Sequence, residues 1–182
     1  MIDPKLDGVS HINVYSKGET ELGRLMSNFA LSPFTLKEHG RFDSIEGLWY
    51  WLSLYNHDLP PNHDHNLMVN TLRCVSGTIA KNRGRELKLK LIAYAPDEMP
   101  ETAFQRVINE AIGERICNDD RLVALLNDST LPFAHYYVFN GVPKDANNHP
   151  WQLECWERAR RILKRLIKRE EENAINRQQQ QG

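Results

Sequence analysis

Leu25-Met26-Ser27-Asn28-Phe29, Pro33-Phe34 and Arg41-Phe42-Asp43-Ser44-Ile45-Glu46-Gly47-Leu48-Trp49-Tyr50-Trp51 set a polar segment and one isolated carboxylate against a dense aromatic cluster. Ile45, Leu48, Trp49 and Leu52 recur at helical spacing, which predicts a helix from Asp43, as N-cap, to about Tyr55. Apolar walls raise a carboxyl pKa into the range where it can carry protons, and flat rings can stack on a base. A pocket around Glu46 suited to nucleotide chemistry is therefore expected. Spacing alone also allows a structural reading, because Asp43-x-x-Glu46 matches a capping box in which Glu46 folds back on the helix start. The two are compatible, since a helix N-terminus also holds phosphates and hydroxyls.

Working outward, His11-Ile12-Asn13-Val14-Tyr15-Ser16 alternates as a short strand does, and Lys17-Gly18-Glu19-Thr20 reads as a turn. Residues 21–42, with Gly23, Pro33 and Gly40, are expected to be an irregular, partly buried loop with a short strand or hairpin near Phe34 and Phe42. Paired prolines make residues 56–65 a loop. A helix is expected from Asn66 to a stop at Gly84, with Leu72, Val75 and Ile79 inside, and Lys88-Leu89-Lys90-Leu91-Ile92-Ala93-Tyr94 alternates as a strand. Phe104, Val107, Ile108, Ala111 and Ile112 mark a core helix from Glu101, and Leu122 to Leu126 a shorter one. Phe133 to Phe139 is rich in strand formers and ends in the turn Asn140-Gly141, followed by a loop to Pro150. The last helix starts near Pro150 or Trp151, with Leu153, Trp156, Ile162, Leu163, Leu166 and Ile167 inside. The pattern gives a single domain of several helices and a few short strands, and a polar, disordered tail over 169–182.

At 182 residues and 41% hydrophobic content, one substantial core is enough. No apolar run approaches the roughly 18 residues of a membrane span, and the start lacks signal-peptide features. A cytoplasmic protein with no membrane contact is expected. Cys74, Cys117 and Cys155 are odd in number and far apart, which points to buried, inert thiols rather than disulfides or zinc. The net charge of -1 conceals a basic stretch from Arg158 to Arg169, either a solvated face or a phosphate contact. His57, Asp58, His63, Asp64 and His65 crowd one loop, but match no zinc spacing that fixes four ligands. No metal and no cofactor are expected. Ala80-Lys81-Asn82-Arg83-Gly84-Arg85 is a basic helix end, in which Lys81 either complements the helix dipole or, beside a cleft, serves as an amine nucleophile.

Tyr15-Ser16-Lys17-Gly18, Leu25-x-Ser27-Asn28-Phe29-Ala30-x-x-Pro33-Phe34, Phe42-x-Ser44-x-Glu46-Gly47-x-Trp49 and Ala80-Lys81-x-x-Gly84-Arg85 together resemble the NADAR (NAD- and ADP-ribose-associated) family. Cys117-Asn118-x-x-Arg121-Leu122-x-x-Leu125-Leu126 and Ala159-Arg160-x-x-Leu163 extend the resemblance over about 11–165. It implies a mainly α (α+β) single domain over 8–168, its helices and short strands around a central cleft, and an N-glycosidase that removes ADP-ribose from guanine bases, reversing a toxin or defence ADP-ribosyltransferase, as in a bacterial antitoxin or a phage counter-defence. Its partners would be ADP-ribosylated guanine in DNA or RNA, or ADP-ribose, with the toxin as counterpart. Carried onto this chain, the resemblance makes Glu46 the proton handler and Lys81 or Lys17 the amine nucleophile or phosphate contact. Ser27, Asn28, Phe29 and Trp49 would hold the ribosyl group, with Arg24, Arg85, Asn118, His135 and Trp151 as further substrate contacts. The riboflavin-associated branch carries Glu-His and a lysine seven residues after the Glu, where this chain has Gly47 and Ser53. It also carries a late Asp-x-x-Trp-Gly that residues 135–141 lack, which weighs against a riboflavin-pathway ribosylamine substrate. A non-catalytic reader of ADP-ribose or modified nucleic acid, and a structural domain in which Glu46 only caps its helix, are the other readings of the same residues.

Overall fold

The computed structural model describes residues 2–94, 96–146 and 149–179, and among them the chain is mainly helical with three two-stranded sheets. In order come β1 (Ile12–Asn13), α1 (Glu21–Met26), β2 (Phe34–Leu36), β3 (Gly40–Phe42), α2 (Ile45–Leu54), α3 (Asp64–Asn70), α4 (Gly77–Lys90), α5 (Glu101–Cys117), α6 (Asp120–Asp128), β4 (Phe133–Ala134), β5 (Tyr136–Phe139), β6 (Val142–Asp145) and α7 (Pro150–Gln179). β1 pairs in parallel with β4, while β2 with β3 and β5 with β6 form antiparallel hairpins. The expected mainly α (α+β) class is what the chain adopts. No described helix is long and apolar enough to cross a membrane.

Helix α2 sits at the centre, packed against α4, α5 and the 3-10 turn Thr71–Cys74. Ile45, Leu48, Trp51 and Leu52 are buried on it, against a core that includes Phe42, Leu72, Ile108, Ile112 and Trp156. Each such side chain contributes about 1.5–3 kcal/mol by leaving water. The apolar spacing read in the sequence is therefore the face that organises the domain.

Several local expectations are corrected. Residues 21–26 form α1 rather than loop, because Thr20 Oγ1 accepts from Gly23 N at 3.0 Å and caps it. The helix expected over 66–84 is three pieces, α3, the Thr71–Cys74 turn and α4, divided where Gly77 takes φ +59°. Gly84 does not stop α4 but lies buried within it, and the strand expected over 88–94 is the helix end followed by a 3-10 turn. The Lys-Leu alternation misleads because Leu87 and Leu91, four apart, are the buried pair, while Leu89 is 78% exposed. Part of the loop expected over 141–150 is β6, paired with β5 around Asn140 and Gly141, both at positive φ.

Helix α7 buries Trp156 and Arg160, whereas Ile162 and Leu166, expected inside, are exposed. Arg160 is held by Glu157 Oε2 and by Leu131 O, so a guanidinium occupies the inner stripe. The tail expected to be disordered from 169 continues as helix to Gln179, with Lys168 and Glu172 paired one turn apart; residues 180–182 lie outside the described residues. Cys74 and Cys117 are exposed rather than buried, and burial of Cys155 pushes its thiol up to about 11.

Gly84 is where α2 and α4 touch. A Cβ there would lie 2.1 Å from Cγ of the Tyr50 ring, so the ring or the helix would have to move. Gly84→Ala is expected to lower unfolding stability by about 1–3 kcal/mol despite alanine's better helix propensity. Chemical denaturation of both proteins checks this; an unchanged or raised midpoint would show that Tyr50 yields without cost.

Candidate functional site

Three chain segments meet at the start of α2. Ser44, rather than the expected Asp43, is the N-cap: its Oγ accepts from Gly47 N at 3.1 Å and donates to Val75 O at 2.8 Å. The capping box does not form, which leaves the Glu46 carboxyl free of that duty. Glu46 N donates to Asn28 O at 2.9 Å, and Gly77 N donates to Phe29 O at 3.0 Å. The Ser27-Asn28-Phe29 turn is thereby fixed beside the first turn of α2 and the start of α4.

These segments wall a cavity of about 890 Å³, completed by β5, the end of β6 and the start of α7. Seven of the twelve expected site residues line it: Ser27, Asn28, Phe29, Glu46, Trp49, Lys81 and His135. Burial raises the Glu46 carboxyl to about 7, against the opposing pull of Lys81 and Arg85. A carboxyl poised there can both give and take a proton near neutral pH. The Lys81 ammonium lies 5.6 Å from the centre of the Phe29 ring. Burial and then the Glu46 charge raise the Tyr50 hydroxyl's pKa, while its hydrogen bond with Arg85 lowers it.

Trp49 forms one flat wall. Trp151 is stacked parallel to it with centroids 6.0 Å apart, while Phe104 and His149 meet it at 4.6 and 4.8 Å. His135 Nδ1 is 2.7 Å from Val14 O and must donate to it, which leaves Nε2 as an acceptor in the neutral ring. Burial lowers the pKa of this ring, favouring the neutral form. Asn28 pairs its side-chain amide reciprocally with Gln152 of α7, so a ligand that uses Asn28 displaces or shares that contact.

The other five expected residues are placed differently. Trp151 acts behind Trp49 as its stacking partner, and Arg85 reaches the site through Tyr50. Lys17 is exposed and is not among the lining residues, although its neighbours Tyr15 and Ser16 are. Arg24 donates to Gly18 O and Glu19 O and borders a second hollow of about 310 Å³ that shares Ser16 and Phe29 with the cavity. Asn118 caps α5, its amide donating to Glu114 O at 2.7 Å, and does not line the cavity. The fold adds Tyr15, Tyr50, Ser53, Lys88, Tyr137, His149 and Gln152 to the lining. Tyr50 already stands in the aromatic cluster read around Glu46, and Ser53 could have been found from helical spacing, since it lies seven residues on; the others come from distant segments.

Arg115 also supports the site. Its guanidinium is buried, which pulls its pKa down to about 10, and Nη2 donates to Leu25 O in the last turn of α1. That bond holds the chain two residues before Ser27. Among the described residues, no group of three or more His, Cys, Asp or Glu side chains could hold a metal ion, and within the His57–His65 loop His65 Nε2 is bound to Leu54 O at 2.7 Å. No protein-family model, curated protein or solved structure matches the chain.

The folded protein keeps the Glu46 proton up to about pH 7, whereas an unperturbed carboxyl releases it near 4.5. Stability from the protonated form is fully present below the lower value and lost as pH rises through the upper one. Glu46→Gln should therefore exceed wild type in stability at pH 8 by about 3 kcal/mol, with the gap closing toward pH 4. Thermal unfolding across that range checks the sign; parallel curves would mean that Glu46 titrates normally.

Proposed function

We propose that the chain is an N-glycosidase that removes ADP-ribose from guanine bases in nucleic acid, reversing the action of an ADP-ribosyltransferase. The observation that carries this reading is Glu46. Its carboxyl, raised to about 7, belongs to the wall of a roomy cavity that Lys81 and the rings of Phe29, Trp49 and Tyr50 also line. The resemblance of Ser27-Asn28-Phe29 and Ser44-x-Glu46-Gly47-x-Trp49 to NADAR motifs supports the same chemistry.

Cleavage of a ribosyl C–N bond develops positive charge on the sugar and negative charge on the departing nitrogen. Protonated Glu46 gives its proton to the guanine nitrogen as that bond lengthens. The carboxylate left behind stabilises the oxocarbenium-like sugar. Water then adds at the anomeric carbon and returns a proton to Glu46, so the net change is hydrolysis. Trp49, braced by Trp151 and Phe104, is the stacking wall. Lys81 either holds a phosphate or attacks the anomeric carbon itself, in which case ring opening leaves an imine on its nitrogen.

Incubation with guanine-ADP-ribosylated DNA should release free ADP-ribose, and Glu46→Gln should lower the rate by about 10²–10⁴-fold without loss of folding. With Glu46 as acid, the rate should fall as pH rises above 7. Binding without release would instead favour a reader module. Borohydride added during turnover should trap a covalent adduct that Lys81→Met abolishes; an active enzyme with no adduct would leave water as the nucleophile and Lys81 as a phosphate contact.

A further inference from the structure

The β5–β6 hairpin carries a surface that the chemistry at Glu46 does not use. Tyr137 stands opposite Lys144, and Phe139 opposite Val142. Residues opposite in an antiparallel pair, or two apart on one strand, share a face, so these four side chains lie together. Tyr137, Phe139 and Val142 are 42%, 60% and 50% exposed, and among the described residues no other strand pairs with the hairpin. Tyr137 also lines the cavity, so the aromatic face continues directly from the site.

The α4 side of the same cavity is cationic. Lys81 and Lys88 line it, with Arg85 between them at helical spacing. On the other side of α4, Arg83 and Lys90 are both neutralised by Glu86, at 3.3 and 2.6 Å. Lys81, Arg85 and Lys88 have no ion-pair partner among the described residues. Tyr137 shares the cavity wall with Lys81 and Lys88, so an aromatic strip with its own lysine adjoins cations without ion-pair partners, which combines base stacking with phosphate neutralisation. A protein-docking core would be poor in lysine and would not adjoin such cations.

We propose that the β5–β6 face and the cations of α4 hold a single strand of nucleic acid, its bases stacked on Tyr137 and Phe139 and its phosphates against Lys144 and Lys88. The substrate class is then a polynucleotide rather than a free nucleotide, presented unstacked because a base inside a duplex cannot reach a cavity of this kind. The inference rests on the proposed glycosidase only in taking the modified guanine to lie at Glu46.

The test is fluorescence anisotropy of the full chain with unmodified single-stranded DNA and RNA oligonucleotides at several salt concentrations. Phe139→Ser should weaken binding about tenfold, while Leu89→Ser, an equally exposed apolar change elsewhere, should not. Lys144→Ala should reduce the salt dependence by about one counterion, and Lys90→Ala should leave it unchanged. No binding of either polymer at low salt would overturn the proposal. So would equal affinities of the Phe139 and Leu89 variants, or a dimer of the chain that Phe139→Ser dissolves without affecting oligonucleotide binding. Strand binding without cleavage of a modified oligonucleotide would leave this contact standing and remove the glycosidase reading. Cleavage that Phe139→Ser leaves unaltered, on strand and free modified nucleoside alike, would do the reverse.

Discussion

The start of α2 is a junction on which the rest of the domain depends. Ser32 N donates to Asp43 O, Asp43 N to Arg73 O, Glu46 N to Asn28 O and Gly77 N to Phe29 O, all between 2.8 and 3.1 Å. Ser44 adds its hydroxyl to Val75 O. Each bond satisfies a polar group of a segment that belongs to no long element, where an unpaired group out of water would be costly. Together they bind the chain at 28–32, 43–47 and 73–77 into one node. The node sets the Glu46 side chain in the cavity wall together with Asn28 and Phe29.

Glycine makes the node compact. At Gly47 a Cβ would lie 2.3 Å from Leu72 O, and at Gly84 it would enter the Tyr50 ring. Close approach on two sides of α2 draws α4 near enough for Lys81 and Arg85 to act on Glu46. Their attraction favours the carboxylate, burial favours the acid, and burial dominates, which places the group near neutrality. An arrangement with more exposure would have produced an ordinary carboxylate, and one with a direct ion pair a permanently charged one.

Much of the architecture was legible in local pattern. Ile45, Leu48 and Leu52 on α2, and Val107, Ile108, Ala111 and Ile112 on α5, bury the faces that their spacing marks, whereas on α2 Trp51 rather than the expected Trp49 completes the buried side. The turn at Asn140-Gly141 needed only two residues to be recognised. Errors arose where two periodicities overlapped. Leu87, Leu89 and Leu91 alternate like a strand, yet a helix buries the first and last by their spacing of four. Gly23 and Gly84 read as helix breakers because their packing partners, Asn13 O and the Tyr50 ring, lie far off in the chain.

For the candidate site the division is sharper. Glu46 and its aromatic neighbours stand within one helix, and local spacing was enough to single them out. Lys81, Asn28 and Phe29 were named from the sequence, but their meeting with Glu46 depends on hydrogen bonds across separate segments. Lys88, Tyr137, His149 and Gln152 carry no local mark, and only chain topology brings them to the cavity. The direction of the Glu46 shift was expected from its aromatic neighbours, but its extent, to about 7, depends on what covers the group in space. Sequence by itself determined the helical class, the central amphipathic helix and its carboxylate, since those follow from short-range periodicity. Tertiary structure alone decided which distant side chains face that carboxylate and how far its proton is held, since both depend on packing between segments remote in the chain.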